Sequence, residues 1–314
     1  MRILFHYEPG PALARQSTAF SAEGFEVDWV APSDDARFEQ LLPEVQVIWH
    51  VLRPLSASEI SRARRLRLIQ KIGVGVNTID LEAAKERGIA VCNMPGANAR
   101  AVAEMTLLLM LSCLRLLPQL DREVRNGGGW RLDPAMQDSF GELAGRTVGF
   151  VGYGTIPQTL APALRALGAD LIYTATAPKV NVSAKFVPLE ELLGVADIVS
   201  LHVPLTSQTN QMINAERMKL LRPSAILINT ARGGLVDQSA LVAALETGRL
   251  SAAGLDVFAN EPIPTDEKLL SLDNVVLTPH VGWLTGGTVR RSLDIAIGNC
   301  RRLATGAELL YRVV

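Results

Sequence analysis

Three segments of this sequence carry side chains able to move a proton or hold an anion. They are Asn229-Thr230-Ala231-Arg232-Gly233-Gly234, the run from Gly254 through Asp256 and Phe258 to Glu261-Pro262, and Thr278-Pro279-His280-Val281-Gly282-Trp283. Histidine titrates near neutral pH and can alternate between proton donor and acceptor. A carboxylate beside it, such as Glu261, favours the imidazolium. The planar guanidinium of Arg232 matches a carboxylate with paired donors. Each residue also has a plain structural reading: His280 as a satisfied polar ring, Glu261 as a solvated acid before a proline, Arg232 as a surface ion-pair partner. Their placement argues for chemistry. Each segment follows a β-rich apolar run, at the carboxyl end of a strand, where the ligands of open α/β sheets sit.

A fourth segment, Thr147-Val-Gly-Phe-Val-Gly152-Tyr153-Gly154-Thr155-Ile156-Pro157, reads as a strand, a tight turn and the start of a helix that continues to Leu167. Gly152 permits the turn and Gly154 the close approach of a pyrophosphate, while the helix start offers free N–H groups and a positive dipole end. Pro157 stands where a third glycine is usual. A first helical turn tolerates it, at some risk to tight helix–strand packing. A bare βα turn has similar spacing, so the motif gains its meaning from the strand series around it. The strand that follows should end in an acid for the ribose hydroxyls. It ends instead in Tyr173-Thr174-Ala175-Thr176-Ala177-Pro178-Lys179. No carboxylate there repels a 2′-phosphate, so the cofactor reading is NADP or NAD, with NADP slightly favoured.

These segments need a scaffold, and the alternation of strand and helix patterns supplies one. Ile3–His6, Glu26–Val30, Val45–Val51, Leu66–Lys71 and Ile89–Asn93 are strand candidates, with helical spacing between them, as in Ser58–Arg64 and Leu81–Arg87. A long helix is predicted from about Ala99 to Asn126, with a kink or break at Pro118, and stopped by Asn126-Gly127-Gly128-Gly129. Six more strands follow: Thr147–Val151, Asp170–Thr174, Ile198–His202, Ala225–Asn229, Ala252–Asp256 and Val275–Thr278. The pattern implies parallel sheets with helices on both faces. A last helix, roughly Thr288–Ala304, has no obvious place by spacing alone.

Bulk properties narrow the class. The chain of 314 residues is long enough for two domains, and 48% hydrophobic residues can build sizeable cores. With 31 Lys plus Arg against 32 Asp plus Glu, no basic surplus points to nucleic acid. The apolar run Met105–Cys113, extended to Leu117, is too short for a membrane span and reads as a helix buried on several sides. The N-terminus reads as a strand and lacks the pattern of a signal peptide. Cys92, Cys113 and Cys300 match no metal site and no disulfide framework, which fits reduced cytoplasmic thiols. His6 and His50 have no chemical neighbours identifiable in the sequence.

Together with His202-Val203-Pro204-Leu205-Thr206, the ordered motifs resemble the D-isomer-specific 2-hydroxyacid dehydrogenase family. The resemblance covers nearly the whole chain and is strongest from Gly149 to Gly282. It implies two doubly wound α/β domains around a cleft. One is a flavodoxin-like substrate domain of residues 1–98 completed by 286–314. The other is a Rossmann dinucleotide-binding domain of residues 99–285. It implies an NAD(P)-dependent enzyme interconverting a small 2-keto acid, glyoxylate- or hydroxypyruvate-like, and its D-2-hydroxy acid.

His280 would then be the acid/base, Glu261 its partner, and Arg232 the grip on the substrate carboxylate and keto oxygen. The backbone of Val74 and Gly75 would be a second carboxylate grip. Thr106, Thr174, Val203, Pro204, Thr230, Ala231 and Gly282 would line the cofactor site with the Gly152–Ile156 turn, and His202 would be structural or line the same cleft. Asp256 would bond the nicotinamide carboxamide or instead cap its loop. Trp283 and Leu52 or Arg53 are candidates for shaping the substrate pocket, with plain interdomain packing an equal reading of Trp283. The family also implies a homodimer formed across the Met105–Leu117 helix. Formate dehydrogenases share the fold but pair their histidine with glutamine, against which Glu261 stands. A phosphite-type dehydrogenase and a nucleotide-sensing interaction protein of the same fold remain as alternatives.

Overall fold

The continuous apolar runs form strands buried on both faces, as parallel sheets covered by helices require. Val47–His50, Leu68–Lys71, Ile198–Leu201 and Ile226–Asn229 are buried at every position. The computed structural model describes residues 1–15, 17–128, 130 and 133–314. It divides the chain into two units, Met1–Asn98 with Thr285–Val314, and Ala99–Leu284.

In the first unit, β1 (Arg2–His6), β2 (Glu26–Val30), β3 (Val47–His50), β4 (Leu68–Lys71) and β5 (Ala90–Cys92) form one parallel sheet in the order β2-β1-β3-β4-β5. This is the flavodoxin-like doubly wound order. The final helix, which spacing could not place, runs from Gly286 to Thr305 and belongs to this unit. Its buried Asn299 donates to Gln70 Oε1 (2.7 Å) and to Leu310 O (3.0 Å), and accepts from Leu310 N (2.7 Å). Arg291 Nε donates to Ala97 O (2.9 Å).

In the second unit, β6 (Thr147–Val151), β7 (Asp170–Thr174), β8 (Lys185–Phe186), β9 (Ile198–Leu201), β10 (Ile226–Asn229), β11 (Ala252–Leu255) and β12 (Val275–Leu277) lie in the order β12-β11-β10-β9-β6-β7-β8. Counted from β6, this is the Rossmann order 3-2-1-4-5-6 with one more strand beyond it. The seventh strand unseen in the sequence is β8, two residues at the sheet edge and too short to show periodicity.

The predicted long helix is two, Ala99–Leu114 and Leu117–Arg125, bent by 65°. The break falls at Leu116, which takes a left-handed φ of 51°, and Pro118 sits in the first turn of the second helix, where its missing N–H costs nothing. Gly129, the last residue of the predicted glycine stop, lies outside the described residues. Among those residues no single helix is long and apolar enough to cross a membrane. Leu109, Met110, Cys113 and Leu114 are buried in the second unit's core, whereas Leu108 and Leu111 are exposed. Cys92, Cys113 and Cys300 are free, and burial pushes the Cys113 and Cys300 thiols up to about 12.

Candidate active site

The order of the second sheet reverses between β6 and β9, and the glycine turn stands at that point. Gly152 has φ of 90°, and a Cβ there would lie 2.6 Å from His202 O and 2.8 Å from Val203 Cγ1. Only glycine satisfies both the backbone angle and the space. His202 N donates to Val151 O (2.7 Å), and Gly152 N to Thr174 O (2.9 Å), which ties the ends of β6, β7 and β9 together. Gly154 caps the helix Thr155–Ala166, is exposed, and has open space where a Cβ would project.

This arrangement fits a dinucleotide pyrophosphate: an open cradle at Gly154 beside the unpaired amides of a first helical turn. Thr155 and Ile156 supply such amides, and Gln158 Nε2 donates to Tyr153 O (2.9 Å), bracing the turn. Pro157 is buried in that first turn, so the substitution for glycine is absorbed by packing. The Tyr153 ring stacks on Tyr173 at 4.4 Å. Tyr173 Oη accepts from Lys179 N (2.7 Å), which orders the acid-free loop after Thr174. The His202 ring is paired with Ser200 Oγ through Nε2 (2.8 Å), and burial pushes its pKa down to about 3, so it is neutral at physiological pH. Pro204 is exposed just beyond it.

The three reactive segments are folded by their own polar residues. Asn229 is buried, with Nδ2 donating to Arg232 O (2.9 Å) and Oδ1 accepting from Ala231 N (3.0 Å). It thereby shapes the loop carrying Arg232, a role the sequence reading did not assign. Thr230 Oγ1 lies 2.9 Å from Thr106 Oγ1, which also donates to Val102 O (2.7 Å). Gly233 has no alternative: a Cβ there would stand 1.9 Å from the Phe258 carbonyl carbon. That contact brings the Arg232 loop against the Phe258–Glu261 loop.

Asp256, 2% exposed, accepts from Thr278 Oγ1 (2.6 Å) and Val281 N (3.0 Å) on Oδ1 and from Gly282 N (2.8 Å) on Oδ2. It clamps the loop on either side of His280, and Gly282 is glycine because a Cβ would come within 2.8 Å of Asp256 Oδ2. His280 itself takes φ of 54°, a conformation a histidine adopts only when its surroundings impose it.

His280 Nδ1 and Glu261 Oε2 are 2.7 Å apart, and Glu261 Oε1 accepts from Phe258 N (3.0 Å). Burial raises the Glu261 pKa, but the His280 hydrogen bond and charge, the Phe258 amide and the Arg232 charge outweigh it. The carboxyl is therefore held below its ordinary range. Arg232 is largely desolvated, which lowers its pKa against the opposing pull of Glu261, and its Nη1 donates to Ala231 O (2.6 Å). Since Glu261 occupies Nδ1, Nε2 is the ring nitrogen of His280 left for a reactant. The group amounts to a proton-carrying imidazole, a carboxylate that fixes its orientation, and a guanidinium beside them.

Of the residues singled out in the sequence, the second unit brings together Gly152, His202 and Val203; Thr106 and Thr230; Asp256 and Gly282; and Glu261 with Arg232 and His280. Val74 and Gly75 are in the first unit, on the loop after β4. Among the described residues their amides donate to no protein acceptor. A cavity of about 610 Å³ lies at the opposite end of the second sheet, among Ile226, Ala252 and Val275, and holds none of these residues.

Residues 107–282 match the family model described as the NAD-binding domain of D-isomer specific 2-hydroxyacid dehydrogenases. The chain is 41% identical over 259 residues to a hydroxypyruvate reductase of Thermotoga maritima, covering 80% of this chain and 82% of that one. It is 40% identical over 289 residues to a glyoxylate reductase of Thermococcus onnurineus, covering 88% and 86%. Among solved structures it resembles an NADPH-dependent glyoxylate/hydroxypyruvate reductase of Sinorhizobium meliloti in complex with NADP and malonate. The TM-score is 0.85 at 32% identity, over 100% of this chain and 96% of that one.

Proposed function

The chain belongs to the D-isomer specific 2-hydroxyacid dehydrogenase family, and we propose that it reduces glyoxylate, hydroxypyruvate or a closely similar 2-keto acid to the D-2-hydroxy acid. It is an NAD(P)-dependent oxidoreductase of that family. The observation that carries the reading is the His280–Glu261 pair at 2.7 Å with Arg232 in electrostatic reach of the same carboxylate.

The bound nicotinamide supplies or accepts the hydride. His280 handles the proton. In reduction, Nε2 of the imidazolium donates to the forming alkoxide, while Nδ1–H stays on Glu261 and stabilises the charge the ring carries beforehand. In alcohol oxidation, the same Nδ1–H···Oε2 bond leaves Nε2 as the bare acceptor. Arg232 binds the substrate carboxylate and polarises the keto oxygen, and the amides of Val74 and Gly75 are assigned to the carboxylate as well. Thr106, Thr230, Ala231, Pro204 and His202 line the nicotinamide side in this reading. Asp256 uses three of the roughly four acceptor positions of a carboxylate on the His280 loop and keeps one for the carboxamide.

The acid-free loop from Thr174 to Lys179 supports NADPH as a cofactor at least as good as NADH. The exposed Leu108, Leu111, Leu117 and Val124 on the two bent helices support a homodimer formed there, and light scattering at micromolar concentration should give twice the chain mass. Function is tested by following loss of reduced-nicotinamide absorbance with glyoxylate, hydroxypyruvate, pyruvate and phenylpyruvate, each with NADPH and NADH. Turnover of glyoxylate or hydroxypyruvate above the other two is expected. Failure to turn over either overturns the substrate assignment, and a more than tenfold preference for NADH overturns the reading of the Thr174 loop.

A further inference from the structure

A second polar constellation lies wholly in the first unit, at the carboxyl end of its sheet. The register puts His6, His50 and Lys71 at the ends of neighbouring strands β1, β3 and β4, on the face that carries Leu4, Ile48 and Ile69. Lys71 is 4% exposed. Its ammonium donates to Val51 O in the loop after β3, to Thr78 Oγ1 (3.3 Å) beyond the loop after β4, and to His50 Nδ1 (3.3 Å).

The His50 tautomer is fixed by chemistry. Nε2 lies 2.7 Å from Arg53 O, and a carbonyl only accepts, so Nε2 bears the hydrogen and Nδ1 is the bare acceptor that Lys71 needs. Burial and the Lys71 charge keep His50 neutral, which preserves this wiring. The chain therefore runs from Lys71 through His50 to the Arg53 backbone. The Arg53 guanidinium is held in turn by Glu59 (2.7 Å) and Asp35 (2.9 Å).

The loop after β4 is braced from its other side: Met94 N donates to Gly73 O (2.9 Å), and Asn93 Nδ2 to Val74 O (2.9 Å). Against Gly73 the Lys71 stem leaves just van der Waals room, since a Cβ there would touch Lys71 Cε at 3.7 Å. A buried ammonium is costly unless hydrogen-bonded, and an apolar side chain at position 71 would pack without that cost. Loop bracing needs bonds. A cation beneath the loop does more, because it adds to the pull of the loop's amides on an anion.

We propose that Lys71 is a positioning residue for the substrate: a buried cation that fastens the loop after β3 to the loop Gly73–Asn77 and presents the Val74 and Gly75 amides to the keto-acid carboxylate. The proposal rests on the reading above that these amides bind that carboxylate.

Steady-state kinetics of the full chain with hydroxypyruvate and glyoxylate test it. Lys71→Met should raise KM for both acids about tenfold or more, with kcat within about threefold of wild type. Cofactor affinity, read by nicotinamide fluorescence, should not change. His50→Leu should share the KM rise, whereas His50→Gln should recover most of it, since an amide can accept from Lys71 and donate to Arg53 O. Unchanged KM in Lys71→Met, or equal damage from both His50 variants, overturns the proposal. Should Lys71→Met fail to fold, Thr78→Val removes one acceptor of the ammonium and must still raise KM, by a smaller factor, or the proposal falls. Gly75→Pro deletes an amide and separates the two claims. If it leaves KM unchanged, the carboxylate grip itself is wrong. If it raises KM while Lys71→Met does not, the grip stands and only the role of Lys71 is refuted.

Discussion

Each unit ends parallel strands in histidine chemistry, with opposite outcomes. At the carboxyl end of the first sheet, His6 and His50 are buried, and among the described residues no carboxylate is hydrogen-bonded to either. Burial, then the Arg53 charge, pushes the His6 pKa down to about 4, and its Nε2 has no hydrogen-bond partner among the described residues. His50 is pushed well below its ordinary value by burial and Lys71. In the second unit, His280 is only partly buried and meets Glu261 at 2.7 Å. The first arrangement keeps both rings neutral and uses His50 as a strut between Lys71 and the Arg53 carbonyl. The second provides a counter-charge for the imidazolium and leaves one nitrogen for a reactant. The difference lies in the carboxylate and in access, since both kinds of histidine lie at or just past the carboxyl end of a strand.

The comparison can be broken at several points. Apart from His280 itself, the largest effect is expected where charge develops on the substrate: Arg232→Ala should lower kcat/KM by about 10³-fold, through both KM and kcat. A change in KM alone would reduce Arg232 to a ground-state anchor. Glu261→Gln should be milder, about tenfold in kcat, because the side chain keeps its size but loses the counter-charge and one of the two acceptor oxygens that serve Phe258 N and His280 Nδ1. In wild type Glu261 is held below its ordinary range, so the pair should survive mild acid and be lost only as pH falls through that lowered value. A pH profile unmoved by Glu261→Gln would detach the carboxylate from the proton transfer.

The smallest effect concerns His6 and His50 and appears in stability. Their folded pKa values lie below the unfolded value near 6.5, so their contribution is complete above that pH. It is lost progressively below it, as the unfolded chain takes up protons that the folded sites refuse. Urea unfolding should show this loss between pH 7 and pH 5. His6→Phe, which removes one such site and its unpaired nitrogen, should lose roughly 2 kcal/mol less than wild type over that interval. Equal losses would mean that His6 is protonated in the folded protein.

Local patterns made most of this legible. The strand series, the glycine turn and the three reactive segments all announce themselves over a few consecutive residues, and Glu261 and His280 could be paired through the motifs they belong to. What stayed hidden depends on sheet order and register. Lys71 and His50 are 21 positions apart and meet only because β3 and β4 are neighbours in register. Asn299 and Gln70, 229 positions apart, join the final helix to the first unit by a contact no spacing reveals. The strand β8 has two residues and therefore no period, and Pro118 marked a kink or break in the long helix without showing that the left-handed residue would be Leu116. Asn229 stood in a recognised motif, yet its work of shaping a loop was visible only from the hydrogen bonds it makes, whereas loop capping was one of the two readings open for Asp256.

The central claim is that His280 is the proton carrier while the Gly152–Gly154 turn and its helix hold the cofactor independently. The direct test is turnover of folded His280→Ala, with nicotinamide binding measured on the same preparation. The account predicts a loss of about 10² to 10⁴ in kcat with cofactor affinity unchanged. Near-normal turnover with intact cofactor binding would contradict it and remove His280 from the mechanism.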